Sequence, residues 1–312
     1  PGAIRLPYSM YDNGTLMAGE YGGWLGVDYD PVLMRTPAGT PFGGVSRYTN
    51  RELDLKLNLQ KKRIVQRQTL REQLERPVGS KSDYERHNRF RRMASEMLLG
   101  STVSKAYDLE SEDPRIRTMY GDHIGGQSML LARRLVEAGV GFVTVNGWAG
   151  ISPKGGGGAP SSSWDMHGGE MGMGNSFGNG SYGLGWCVPR LDEGLSALLE
   201  DLDDRGLLEN TMVVCVGEFG RTPKINQRTT TPGRQHWPKC FSAIVAGGGI
   251  QGGRVYGKSD KTASFVQDRP VRPQDLGATI YHAMDVPLDL RLGKDGFTRP
   301  ISSGEPIFDL FS

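Results

Sequence analysis

Three short runs of β-branched and apolar residues constrain this chain more than any other feature. They are VGFVTVNGW at 140–148, MVVCV at 212–216 and FSAIVAG at 241–247. Runs this short, bounded by Gly and Pro signals and rich in Val and Ile, read as strands buried on both faces. Amphipathic stretches alternate with them. Residues 122–138 (DHIGGQSMLLARRLVEA) run into the first strand and are ended by Gly139. Residues 189–208 precede the second strand, with Pro189 suited to a first turn and Asp192 and Glu193 near the positive end of the helix dipole. Residues 273–284 (PQDLGATIYHAM) form a last helix, followed by Pro287. A helix feeding a buried strand is the repeating unit of an α/β fold. The pattern predicts 140–146, 212–216 and 241–247 as neighbouring, mainly parallel strands, with helices 122–138 and 189–205 packed on them.

The 312 residues are ample for one large domain. A net charge of +2 excludes a globally basic nucleic-acid binder and an acidic solvating chain. No apolar run approaches the roughly 18 residues of a membrane helix. Three cysteines, Cys187, Cys215 and Cys240, make neither a disulfide scaffold nor a metal spacing. Residues 1–50 are rich in Gly, Pro and aromatics and read as irregular loops with one short strand at most. Residues 51–76 have helical period, with Leu53, Leu57, Ile64, Leu70 and Leu74 roughly on one side, and Pro77 and Gly79 stop them. A second helix is expected over 83–99. Residues 51–92 hold 13 Lys/Arg against 6 Asp/Glu. A solvated helical face explains that excess better than nucleic acid, since Tyr84 and Phe90 alone are aromatic there and do not interleave the basic run. Residues 149–186 are dominated by Gly, Ser and Asn and read as a long loop carrying WDMH.

Two motifs carry chemistry, and both fall beyond strand ends, where open α/β sheets collect ligands. Asp165 and His167 are two residues apart, so an extended segment turns both side chains to one face. Carboxylate oxygen and imidazole nitrogen together suit a hard or borderline divalent cation. The competing reading is a loop Asp bonded to its own backbone beside a half-exposed His. Glu218 opens GEFGRTP directly after the second strand, and Arg221 either pairs with it or clamps an oxyanion with its guanidinium fork. A structural Glu–Arg pair shaping the turn is the alternative. His236 stands in GRQHW, as a ligand or packed on Trp237. His87, His123 and His282 are weaker candidates, and His123 reads as a cap-region residue. There is no dinucleotide fingerprint, since GGGIQGG at 247–253 lacks the helix and acidic residue that a fingerprint needs. The lead chemistry is metal-assisted hydrolysis at Asp165, His167, Glu218 and His236.

WDMH, LSALLEDLDDRGLLENTMVVCVGEFGRTPKIN, GRQHW, AGGGIQGGRVYGKSD and the upstream QSMLLARRLVEAGVGFVTV together resemble the bacterial family called domain of unknown function 1501, grouped with the alkaline phosphatase and sulfatase superfamily. The resemblance is dense over 115–285 and looser on either side. It implies one alkaline-phosphatase-like domain over 1–312, a three-layer α/β/α sandwich with a mostly parallel central sheet, loop-rich over 1–50, with a basic helical segment at 51–100 and its core at 115–285. It implies a divalent metal, zinc, calcium or magnesium, on Asp165, His167, Glu218 and His236, with Arg221 as oxyanion clamp. It implies small-molecule or glycan sulfate or phosphate esters as substrates and an extracytoplasmic location. Gln235 departs from the Asp usual in the family's GRDHW. The resemblance also leads us to expect that the family's N-terminal stretch, which carries the superfamily's first metal-binding Asp and its nucleophile, is missing, the chain being either a fragment or a degenerate member, so little or no hydrolysis is expected from residues 1–312. Ser163 and Thr222 are the internal hydroxyls to test. The other reading is a non-catalytic binding or surface module that keeps the fold.

Overall fold

A strand that the composition hides stands at the centre of the sheet. The computed structural model describes residues 2–33 apart from 8, 13 and 14, then 61–74, 84, 88, 91, 105–147, 164, 166–168, 184–226, 232–293 and 297–311. In chain order its strands are β1 (Ala3–Leu6), β2 (Tyr11–Asp12), β3 (Thr15–Leu16), β4 (Val32–Leu33), β5 (Phe142–Val145), β6 (Val213–Val216), β7 (Ala243–Ala246), β8 (Lys258–Ser259), β9 (Val266–Asp268), β10 (Arg291–Leu292) and β11 (Arg299–Pro300). Among the described residues the α-helices are α1 (Lys61–Leu74), α2 (Pro114–Met119), α3 (Ile124–Glu137), α4 (Leu184–Asp204) and α5 (Pro273–Ala283). The fold is α/β, with a three-stranded parallel sheet in the order β4-β1-β5. β1 is held on both edges, Ile4 opposite Val32 and Val143, and Leu6 opposite Val145. Ile4 and Leu6 are completely buried. Arg5, between them, is buried too, ion-paired to Glu20 and donating from Nη2 to the Gly19 carbonyl at 3.0 Å. That partner lets an arginine sit inside a core strand.

α3 forms and ends as the sequence predicts. The His123 imidazole accepts the Gly126 N–H through Nδ1 at 3.1 Å, capping the first turn. At the other end Gly139 adopts φ 87°, and the Val140 N–H reaches the Leu135 carbonyl at 3.0 Å, turning the chain into β5. Leu130, Leu131 and Leu135 of α3 pack with Ile4, Leu6, Tyr120, Leu198 and Leu202 in one core. The α3–α4 interface also encloses an ionic network. Arg133, 1% exposed, donates from Nε to Asp201 Oδ2 at 2.7 Å and from Nη2 to Glu112 Oε2 at 2.5 Å. Asp201 also accepts from Arg205 Nε at 2.6 Å and the Tyr120 hydroxyl at 3.0 Å. Burial alone would raise the Glu112 carboxyl, but hydrogen bonds from Arg133 and Arg134 carry it below the ordinary carboxylate range.

Several expectations need correction. The strands at 142–145, 213–216 and 243–246 do not share one parallel sheet. β6 pairs antiparallel with β7, Val213 opposite Ala246 and Val216 opposite Ala243, apart from β5. The reason lies in the connection. A parallel return needs a crossover that carries the chain back to the starting end. The segment 217–242 instead runs out and doubles back as a long hairpin, and apolar runs alone do not reveal direction. Within 1–50, the described residues up to 33 are less irregular than expected, since β1 and β4 both belong to the sheet. α4 starts before Pro189, which sits inside it. The carbonyl that Pro189 leaves without an i+4 donor is that of Gly185, in the first turn. α1 lies within the expected 51–76, but Leu70 and Leu74 are 55% and 72% exposed, so its apolar side is not buried there. Leu53, Leu57 and most of 83–99 lie outside the described residues, with Tyr84, Asn88 and Arg91 helical. Most of the expected loop 149–186 also lies outside them. Among the described residues no helix is long and apolar enough to cross a membrane.

Candidate functional site: two imidazoles and an arginine on a glycine-laced ribbon

The β6–β7 pairing continues beyond the strands and builds the site. GEFGRTP and GRQHW run antiparallel, with Arg221 bridged to His236 and Asn226 bridged to Gly233. The Trp237 N–H donates to the Gly220 carbonyl at 2.8 Å and the Thr222 N–H to the Gln235 carbonyl at 2.9 Å. Residues directly opposite in such a ladder share a face, so the pairing itself sets Arg221 beside His236. Gly220 is required, because a Cβ there would lie 2.1 Å from the Cys240 carbonyl oxygen. The Arg234 guanidinium ties the ribbon from the side, donating to the Thr222 carbonyl at 2.7 Å and the Arg221 carbonyl at 3.3 Å.

The WDMH segment crosses this ribbon. The Arg234 N–H donates to the Met166 carbonyl at 2.6 Å. Gly233 lies so close that a Cβ would sit 2.0 Å from the His167 carbonyl oxygen. At its other end the segment is pinned by Trp164, whose Nε1 donates to the Gly147 carbonyl at 2.8 Å. Gly147 follows β5, so Trp164 ties the motif to the carboxyl edge of the parallel sheet, the edge where ligands bind in open α/β folds.

Three of the sequence candidates meet here. Arg221 Nη1 lies 3.2 Å from His167 Nε2. The His167 and His236 rings are 4.7 Å apart, tilted by 58°. Phe219, which sequence reasoning passed over, closes the other side of His236 at 4.5 Å. Its signal was its position: within an antiparallel ribbon, Phe219 and Arg221 alternate onto one face. A guanidinium only donates, so His167 Nε2 accepts in this contact and its proton is on Nδ1. The alternative of His236 packed on Trp237 is not what forms. Trp237 turns to Phe265, 5.6 Å away, and donates to the Ser264 carbonyl at 2.6 Å.

The remaining candidates stand differently. Glu218 is exposed, and among the described residues it has no hydrogen bond or ion pair, so the structural Glu–Arg pair does not form. Asp165 and Ser163 lie outside the described residues. The Thr222 hydroxyl donates to the Lys224 carbonyl at 3.0 Å and accepts the Gln235 N–H at 3.1 Å, so it fastens the loop rather than standing ready as a nucleophile. Among the described residues no group of three or more His, Cys, Asp or Glu is arranged to share an ion. His167 and His236 are the two donors close together, and two imidazoles suit a borderline cation in kind. His123, buried where His167 is half-buried and His236 exposed, is a helix cap whose pKa is pushed down to about 4 by burial and by the nearby Arg190.

No curated protein and no solved structure matches the chain. One family does, described as a protein of unknown function (DUF1501), over residues 1–310, and the chain belongs to that family.

Proposed function

We propose that the protein is a metal-dependent hydrolase of sulfate or phosphate esters in the alkaline phosphatase and sulfatase superfamily, built as a three-layer α/β/α sandwich. The observation that carries this reading is the meeting of His167, His236 and Arg221 on loops tied to the carboxyl edge of the sheet. His167 and His236 supply two donors, and Asp165 and Glu218 complete the set from the adjoining loop positions. These residues would hold a divalent cation, which would supply polarisation of the ester oxygen and a lowered pKa for water. Arg221 binds the non-bridging oxygens of the ester, its fork matching a tetrahedral oxyanion. Phe219 covers one face of the exposed His236 ring and holds it in place. The substrate is an ester carried on a small molecule or glycan.

The test joins elemental analysis to a panel of sulfate and phosphate esters. His167→Ala and His236→Ala should each weaken metal binding by at least about tenfold, as loss of one ligand from a shared site does. Arg221→Ala should keep the metal and weaken the binding of inorganic sulfate and phosphate. The second reading, a non-catalytic binding module, draws on the shortage of donors among the described residues. Unchanged metal content in both histidine variants would favour it over the hydrolase.

A further inference from the structure

A second polar recess lies at the other end of the hairpin that touches Trp237. The tip of the β8–β9 hairpin reaches the ribbon through Ser264 and Phe265. Its base opens into a cleft of about 240 Å³ lined by Arg254, Val255, Tyr256, Arg269, Asp309 and Leu310. Three backbone segments close it. The Gln251 N–H donates to the Leu310 carbonyl at 2.8 Å, holding the C-terminal turn against the glycine-rich turn. Gly257, at φ 80°, abuts the end of β9, where a Cβ would meet the Arg269 carbonyl oxygen at 3.0 Å. Arg269 itself takes φ 43°, a conformation that side-chain-bearing residues rarely adopt.

That backbone aims the guanidinium. Arg269 lies over the Tyr256 ring, 4.6 Å from its centroid, which orders a side chain that would otherwise sweep through many rotamers. Its ion pair with Asp268 is long, 3.5 Å, and solvent-exposed on both sides, so it holds the fork only loosely. The cleft therefore presents two arginines against one carboxylate, Asp309, beside Val255, which is 87% exposed. Two arginines lining one cleft with an apolar side chain match an oxyanion borne on an organic group better than a cation or a neutral sugar.

We propose that this cleft is an oxyanion-binding site, separate from the imidazole–arginine site, which takes a sulfate or phosphate monoester carried on a sugar-sized molecule. Arg254 and Arg269 hold the oxyanion, Val255 meets the organic part, and Asp309 limits affinity by competing for the arginines. The site does not depend on the hydrolase reading, since no metal enters it.

Calorimetric titration with glucose 6-sulfate, glucose 6-phosphate and inorganic sulfate tests this, with glucose as the neutral control. It is run on the full chain carrying Arg221→Ala, so that the first site does not contribute. Both esters should bind, inorganic sulfate more weakly, and glucose not at all. Arg254→Ala and Arg269→Ala should each weaken ester binding by about tenfold, the loss of a charge-assisted hydrogen-bonding partner. Asp309→Asn should tighten it several-fold, a gain that a misfolded variant cannot produce. The absence of ester binding at millimolar concentration overturns the proposal. So does undiminished affinity in both arginine variants, or weaker binding in Asp309→Asn.

Discussion

Replacing Asp201 with Asn tests how the two long helices are joined. Asp201 is 2% exposed and Arg133 1%. Three donors converge on the Asp201 carboxylate: Arg133 Nε at 2.7 Å, Arg205 Nε at 2.6 Å and the Tyr120 hydroxyl at 3.0 Å. Asparagine keeps the shape but offers one acceptor oxygen, and its amide hydrogens then face donors. The Arg133 charge stays buried with Glu112 and the half-exposed Glu137 as its remaining partners. Removing one partner of a buried pair costs about 3–5 kcal/mol. At about 2–4 °C per kcal/mol for chains of 150–250 residues, the melting temperature should fall by roughly 6–20 °C. Urea unfolding followed by far-UV circular dichroism measures the loss directly. Glu137→Gln, at the exposed rim of the same network, should lose less than about 1 kcal/mol. Arg133→Met with Asp201→Leu should recover most of the deficit, because no buried charge is then left alone. A loss below about 1 kcal/mol in Asp201→Asn would show that water reaches the pair and would refute its placement in the core.

Two further outcomes follow from single contacts. Gly233→Ala drives a Cβ into the His167 backbone, so it should lower stability by about 1–3 kcal/mol and shift the imidazole NMR signals of both His167 and His236; unmoved His167 signals would mean that the two segments do not cross there. His123 titrates near 4 when folded and near 6.5 when unfolded, so the unfolded chain binds the extra proton first. Stability from this group is complete above about pH 6.5 and lost as pH falls toward 4; His123→Asn, which can still cap the helix, should flatten that part of the stability profile, and an unchanged slope would rule His123 out as its source.

The sequence announced some elements and concealed others for physical reasons. α3 was legible from both ends because its cap and its stop are local: His123 accepts the Gly126 N–H, and Gly139 turns the chain. α5 matched nearly residue for residue, since Pro273 opens it and Asp275 reaches back to the Arg272 N–H at 3.0 Å. β1 was invisible. It is four residues long and carries Arg5, whose burial depends on Glu20, fifteen positions away. Local pattern cannot register a partner that only the fold supplies. The direction of β7 was misjudged for the same reason, because its antiparallel course is set by bridges between Arg221 and His236 and between Asn226 and Gly233. Within the site, residue types at motif spacing pointed to His167, Arg221 and His236 correctly as neighbours. Glu218, which follows an apolar strand, faces solvent.

The contact between Arg221 and His167 bears on what the site is for. Arg221 occupies the direction of the His167 Nε2 lone pair, and that lone pair is the one a metal would take. Nδ1 carries the proton in this tautomer, so the same arrangement that receives the guanidinium is the one that coordinates a cation. The two uses exclude each other at His167 but not in the site as a whole. On the hydrolase proposal, a cation on His167 Nε2 would take the place of the Arg221 guanidinium, and that guanidinium would then be available to meet the ester's charge. The backbone pairing that sets residue 221 opposite residue 236 fixes its main chain in either case.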